Sequence, residues 1–324
     1  MTGHTSRGRD PNYPKLSPEK RERIDARDLE IINRNADRLN AEAEELLRYQ
    51  APLDRGEEAP DDLVYVDRSE RVLRAVRESG FSHFDSLIHL FIGGSELHGA
   101  KVRNTDDLDI YGVFLEPPEL AIGLERVEFY VWSTAGNERR NGPDDIDVCL
   151  YSLRKWAGLA AKGNPTALHF LFSPNYAPNT RVWQDIVQNR ELFLSRKAAS
   201  QFRGFADAQL RRLQGIGTGK KGQRHELIGE HGYDIKAAMH VIRLLNEGIE
   251  LMQSGTITLP RPEKELLITI RTGKYGSLDR VLDLAKGLFD QLEKAEANSK
   301  LPESVDKARL SNLISGTYLA YWRV

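Results

Sequence analysis

A single cysteine, Cys149, stands among 324 residues, so no intramolecular disulfide is possible and packing must hold the fold together. Long hydrophobic runs are also lacking. The strongest, Leu87 to Ile92, contains His89 and falls far short of the roughly 20 apolar residues that a membrane helix needs, so no membrane partner is expected. Net charge is nearly absent: 46 Lys plus Arg against 48 Asp plus Glu leave -2, which gives no overall pull toward a polyanion or a charged surface. Any such contact needs a local basic patch. The opening MTGHTSRGRDPNYPK has no apolar core of the kind that secretion signals carry, and with the lone cysteine this makes a cytoplasmic location the expectation. What remains is an ordinary globular composition, 40% hydrophobic and 29% charged, in a chain long enough to bury one or two cores.

Residues 1–23 are polar and interrupted by Pro11, Pro14 and Pro18, the composition of a mobile tail. Residues 24–62 hold an amphipathic helix followed by a Pro- and acid-rich linker, APLDRGEEAPDD. Leu29, Ile32, Ala36, Leu39, Ala43 and Leu46 recur at alternating spacings of three and four, a narrow seam suited to its own domain, to a protein partner or to a second copy of the chain. From 63 to 155 the pattern predicts a helix over Ser69–Ser79 and four strands, Leu87–Ile92, Leu108–Leu115, Val127–Ser133 and Ile146–Tyr151. Residues 156–324 read as helices throughout. The fold class expected is α+β, a small mixed β-sheet domain with flanking helices followed by a helical domain.

The chemistry concentrates in FIGGSELHGAKVRNTDDLDIYGVFL, residues 91–115. Asp107 and Asp109 alternate along a strand, which sets both carboxylates on one face, where they repel unless a cation lies between them. Hard oxygen ligands suit Mg²⁺ or Mn²⁺. Gly93 and Gly94 lack Cβ atoms and let backbone amides approach an anion, and Ser95 adds a hydroxyl at a helix start, together a cradle for a triphosphate. A third carboxylate on the strand some forty residues later, Asp147 or alternatively Asp145, completes a site for two metal ions that clamp an in-line phosphoryl displacement. Asp145 otherwise reads as a solvated strand start.

This order, Gly-Ser, an eleven-residue spacer, Asp-x-Asp and a later Asp on a strand, resembles the polymerase-beta-like nucleotidyltransferase superfamily. YSLRKWAGLAAKGNP (151–165) and HGYDIKAAMHVIRLLNEGIELMQSG (231–255) resemble one branch of it, the nucleotidyltransferase family associated with RNA-repair pathways in bacteria and phages. The resemblance spans about residues 85–275. It implies Asp107, Asp109 and Asp147 as catalytic ligands of two Mg²⁺ or Mn²⁺ ions, with Asp147 also activating the attacking hydroxyl. It implies Gly94 and Ser95 as phosphate contacts, next to Gly93 of the nucleotide-binding cradle, and Tyr233, Lys236, His240 and Arg243 as groups turned toward the nucleotide. Residues 236, 240 and 243 fall on one helical face, and Lys236 suits the β and γ phosphates as a mobile point charge. His169 departs from the branch, where an acidic residue is usual after the Gly-Asn-Pro turn.

The implied reaction transfers NMP or dNMP from an NTP or dNTP, ATP included, to a hydroxyl with release of pyrophosphate. A nucleic-acid 3′ end or oligonucleotide is the implied acceptor, without a template, in RNA repair or in synthesis of a phage-defence signal. Nucleotidylation of a protein side chain, self-modification or protein priming included, is the alternative, and a non-catalytic assembly protein is another. His98 reads as a supporting or surface residue because no His or Cys stands at zinc spacing around it. His231 and His240 also fit structural hydrogen bonding, and Cys149 reads as an inert buried thiol. GIGTGKKG (215–222) fails the Walker spacing and reads as a flexible loop. With Arg203, Arg211, Arg212, Lys220, Lys221, Arg224 and His225 it forms either a basic patch for a phosphate backbone or a solvated face.

Overall fold

A computed structural model describes residues 68–102, 107–136, 145–178, 180–214 and 225–323. The chain divides into units 1–49 and 50–324, and every described residue belongs to the second. The expected tail, N-terminal helix and linker, and the loop at 215–222, lie outside the described residues.

Helix α1 (Arg68–Glu78) buries Val72, Ala75 and Val76, the i, i+3, i+4 stripe of an amphipathic helix. Glu70 in its first turn and Arg77 in its last suit the helix dipole. Four strands follow, β1 (Leu87–Ile92), β2 (Leu108–Phe114), β3 (Phe129–Ser133) and β4 (Ile146–Ser152). Between them lie the short helices α2 (Gly94–Leu97) and α3 (Pro118–Ile122). The sheet order is β1-β2-β4-β3, with β2 and β4 parallel and both outer pairs antiparallel. The mixed sheet and the helices after it are those of an α+β fold.

Alternation divides the strand residues between two faces. On one, Leu90, Ile92, Ile110, Val148 and Leu150 join Val72, Ala75 and Val76 of α1 in a continuous core. On the other lie Phe91, Tyr111 and Tyr151, closed over by Phe170, whose ring centroid is 4.7 Å from that of Phe91 and 5.8 Å from that of Tyr151. Phe170 sits at the end of α5 (Pro165–His169), which follows α4 (Leu153–Ala160) and is started by Asn164, whose side chain accepts from the Ala167 amide at 3.0 Å. The outer edge of β1 is not left bare. Asn175 Oδ1 accepts from the Leu90 amide, Asn175 Nδ2 donates to the Ile88 carbonyl, and the Tyr176 amide donates to the Leu90 carbonyl, which continues the ladder and shields the edge.

The helices after Ser152 run α6 (Thr180–Gln188), α7 (Lys197–Leu213), α8 (His225–His231), α9 (Ile235–Ser254), α10 (Lys264–Arg271), α11 (Leu278–Asn298) and α12 (Lys307–Trp322). Helix α9 is buried along most of its length against α7, α10 and α11. Asp234 caps its start by accepting from the Ala237 amide at 2.9 Å. Helix α12 returns to the sheet: Tyr318 Oη accepts from the Arg154 amide at 3.1 Å and donates to buried Glu116, whose carbonyl accepts from Trp322 Nε1 at 3.0 Å.

Candidate active site

Strand register assembles the three aspartates. In the parallel pair Asp109 stands opposite Asp147, and Asp107 lies immediately before β2. One carboxylate oxygen from each of Asp107, Asp109 and Asp147 lies within 4.8 Å of the others. Asp109 is only 7% exposed, and the other two are half-buried. At that separation and an effective dielectric near 20, each like-charge pair costs about 3.5 kcal/mol or more, a repulsion that a cation between them removes. The donor set is all carboxylate oxygen, which fits Mg²⁺ or Mn²⁺ and not a soft metal.

The neighbours are neutral. Burial raises the Tyr111 hydroxyl well above its ordinary range, and the charges of Asp109, Asp147 and Asp107 push it further the same way. Burial raises the Cys149 thiol to about 12, with Asp109 and Asp147 adding to the effect. Neither group is a nucleophile near neutral pH, so the carboxylates carry the charge of the site.

The glycine turn presses directly on this cluster. Gly93 donates its amide to the Asp109 carbonyl at 2.8 Å, so what it offers a ligand is close approach and not a free amide. Gly94 has φ +56, and a Cβ there would lie 1.9 Å from Asp109 Oδ2. Only glycine fits both constraints. Ser95 follows in the first turn of α2, where backbone amides have no helical acceptor.

Asp145 is buried, not a solvated strand start: its Oδ1 accepts from Thr134 Oγ1 at 2.7 Å and its carbonyl accepts from the Leu108 amide at 2.8 Å. It ties the starts of β2 and β4 together, beside the three clustered aspartates and not among them. Tyr233 is buried and donates its hydroxyl to the Gly276 carbonyl at 3.1 Å. Arg243 gives Nη1 to both carboxylate oxygens of Glu247, at 2.9 and 3.0 Å. Lys236 and His240 lie one turn apart on α9, the lysine buried and the histidine half-buried. The arginines expected in a basic patch are paired with acids: Arg203 with Glu296 at 2.7 Å, Arg211 with Asp207 at 2.8 Å, Arg212 with Asp234 at 3.7 Å. Lys220, Lys221 and Arg224 lie outside the described residues.

One group has no counterpart in the sequence reading. Glu247 is fully buried, with Oε1 3.2 Å from His98 Nδ1 and Oε2 3.1 Å from His169 Nε2. His98 is therefore neither at the surface nor without a histidine partner, and His169 answers a buried acid. No local spacing signals this, because the three residues come from distant stretches of the chain.

Residues 61–314 match the model of the RNA repair pathway DNA polymerase beta family. The chain belongs to that family. Membership sets it among the polymerase-beta-like nucleotidyltransferases, as the motif order implies. An Enterobacteria phage T4 relative, titled "Uncharacterized 38.9 kDa protein in nrdC-mobD intergenic region", is 28% identical over 183 residues, 53% of this chain and 48% of that protein. The chain thus spans about half the length of that relative. A crystal structure of a nucleotidyltransferase-like protein from Exiguobacterium sibiricum 255-15 is similar over 77% of this chain and 78% of its own, at 13% identity and a TM-score of 0.27.

Proposed function

We propose that this member of the RNA repair pathway DNA polymerase beta family moves a nucleoside monophosphate from an NTP or dNTP to a hydroxyl. The observation that carries the reading is the meeting of Asp107, Asp109 and Asp147 against the Gly93-Gly94-Ser95 turn, carboxylates for metal beside a cradle for phosphate. Two Mg²⁺ or Mn²⁺ ions, held by the three aspartates, would supply charge neutralisation at the reacting phosphate and lower the pKa of the attacking hydroxyl. Asp147 orients that hydroxyl and takes up its proton. The hydroxyl oxygen bonds to the α-phosphorus while the bridge to the β-phosphate breaks, and pyrophosphate leaves. Gly94 and Ser95 hold the departing phosphates, Lys236 lends a positive charge, and Tyr233, His240 and Arg243 shape the nucleotide side.

The acceptor we favour is the 3′ hydroxyl of RNA or another oligonucleotide, extended without a template, in keeping with the family's repair-pathway description. The test incubates the full chain with Mg²⁺ or Mn²⁺, each labelled NTP and dNTP, and RNA ending in 3′ hydroxyl or 3′ phosphate, beside a reaction without nucleic acid. Growth of the hydroxyl-ended RNA alone, abolished in Asp107→Asn and Asp109→Asn, is the expected result. Label that stays on protein and is released by protease would replace RNA with a side-chain acceptor. Unchanged product with the aspartates substituted would end the reading.

A further inference from the structure

Immediately after the Gly94–Ser95 turn the chain runs through His98, Gly99 and Ala100, and each of these is held from the helical half. Glu247 of α9 approaches His98 Nδ1 at 3.2 Å, and the Arg261 amide donates to the His98 carbonyl at 3.1 Å. Gly99, at φ +68, lies so close to Pro260 that a Cβ would meet the proline Cβ at 2.9 Å. Buried Arg271 donates Nη1 to the Ala100 carbonyl at 2.9 Å. The short helix α2, four residues long, therefore hangs between two fixed points, the Asp109 carbonyl that holds Gly93 and the clamp on 98–100.

Glu247 is the node of the clamp. A carboxylate buried in the middle of a helix is expensive unless it is both ion-paired and hydrogen-bonded. Here Arg243 occupies both oxygens, and the two histidines approach one oxygen each. Burial, helped by the Arg243 charge, lowers His98 to about 3, so its imidazole is neutral, with Nδ1 3.2 Å from Glu247 Oε1. Burial alone would push the Glu247 carboxyl up, but Arg243 and the histidines overcome it and hold the acid ionised. Arg243 gives the carboxylate its countercharge, and the two histidines and one carboxylate are also a metal-ligand set.

We infer that Glu247 is a positioning residue of the nucleotide site: through His98 it fixes the Gly94–Ser95 turn, and through His169 the Gly163-Asn164-Pro165 turn, relative to the helix that carries Lys236 and His240. An apolar side chain at 247 would fill the same space, and buried ion pairs are often replaced that way without loss of stability. What the charged node adds is direction, because a carboxylate held in place by Arg243 sits 3.2 Å from the His98 ring and so sets the turn that ends in it. A turn displaced by an ångström from the transferring phosphate loses about a hundredfold in rate. The word nucleotide rests on the function proposed above, whereas the clamp rests on geometry alone.

The test compares His98→Ala, His98→Asn and Glu247→Gln with the wild-type chain. Asparagine places an amide donor near the position of Nδ1, so His98→Asn is the conservative rescue. Three quantities are read: nucleotide KM and kcat separately, hydrogen exchange of the 93–102 peptide against the rest of the chain, and the unfolding midpoint. For His98→Ala and Glu247→Gln, the expected result is faster exchange confined to 93–102 and a nucleotide kcat/KM lowered about tenfold to a hundredfold per folded molecule. His98→Asn should stay within about threefold of wild type. Activity that falls only with the folded fraction, at unchanged KM and unchanged local exchange, would overturn the inference. So would asparagine failing as badly as alanine. A Glu247→Gln chain that does not fold leaves the decision to the His98 pair. A wild-type chain that turns over no nucleotide would refute the proposed function instead, and exchange at 93–102 in His98→Ala would still decide whether the clamp holds the turn.

Discussion

Replacing Gly94 by alanine adds one methyl group at φ +56 and 1.9 Å from Asp109 Oδ2. The backbone cost of a left-handed alanine is about 1–2 kcal/mol. The contact costs more, because a real Cβ approaches no closer than 3.0 Å, so the carboxylate or the turn must yield by the difference from 1.9 Å, 1.1 Å. A shift of that size at the reacting centre is worth about a hundredfold in rate, or about 2.7 kcal/mol of barrier. Gly80 supplies the matched control. It has φ +79, and a methyl group added there would meet nothing within 4 Å, so Gly80→Ala carries the same backbone strain without touching the site. Gly80→Ala should melt about 2–8 °C below wild type, and Gly94→Ala further below. Only Gly94→Ala should lose about a hundredfold in nucleotide incorporation at saturating Mg²⁺, with Mn²⁺ affinity by calorimetry weakened as well. Equal activities in the two variants would show that the turn does not press on the metal-binding carboxylate.

Acid should destabilise the fold early. Burial lowers His89 and His98 from 6.5 to about 3, so below pH 6.5 the unfolded chain binds protons that the folded chain refuses. Stability then falls with pH, approaching about 1.4 kcal/mol per unit for each histidine, about 3 kcal/mol for both between pH 6.5 and pH 5. Urea unfolding at pH 7, 6 and 5 measures this, and a flat profile would contradict it. Cys149 is 4% exposed with its thiol raised to about 12, so a disulfide reagent at pH 8 should label it only at the rate of unfolding. Rapid stoichiometric labelling of the native chain would refute its burial. Tyr318→Phe leaves the Arg154 amide and buried Glu116 without their shared hydroxyl and should cost about 1–3 kcal/mol in denaturant unfolding. An unchanged midpoint would mean that α12 is not docked through this contact.

Strands are the most legible part of this sequence. Leu87–Ile92 is bounded by glycines and too short for a helix, and β1 has those ends. Alternation also tells which aspartates share a face, and the parallel register of β2 with β4 then brings Asp147 beside Asp109. Asp145 misleads because a turn acid and a buried acid look alike until the partner is seen, and the Thr134 hydroxyl comes from β3's end. The Gly94 constraint is legible as glycine but not as its cause, since a phosphate and the Asp109 carboxylate ask the same residue of that position. Tyr233 and Arg243 carry motif identity in sequence, yet their polar atoms meet Gly276 and Glu247. The Glu247 node lies beyond reading altogether: His98, His169 and Glu247 meet only when three distant segments pack, and neither 3.6 nor 2.0 periodicity encodes that.

The most direct test of nucleotidyl transfer follows the phosphorus. Purified chain is incubated with Mg²⁺, a hydroxyl-ended RNA and either α-labelled or γ-labelled nucleoside triphosphate, with Asp107→Asn, Asp109→Asn and Asp147→Asn alongside. For nucleotidyl transfer, α label enters the RNA, γ label leaves as pyrophosphate, and each substitution abolishes both. Label from the γ position on the RNA would mean phosphoryl transfer, and transfer of α label that survives loss of the three carboxylates would remove them from the chemistry.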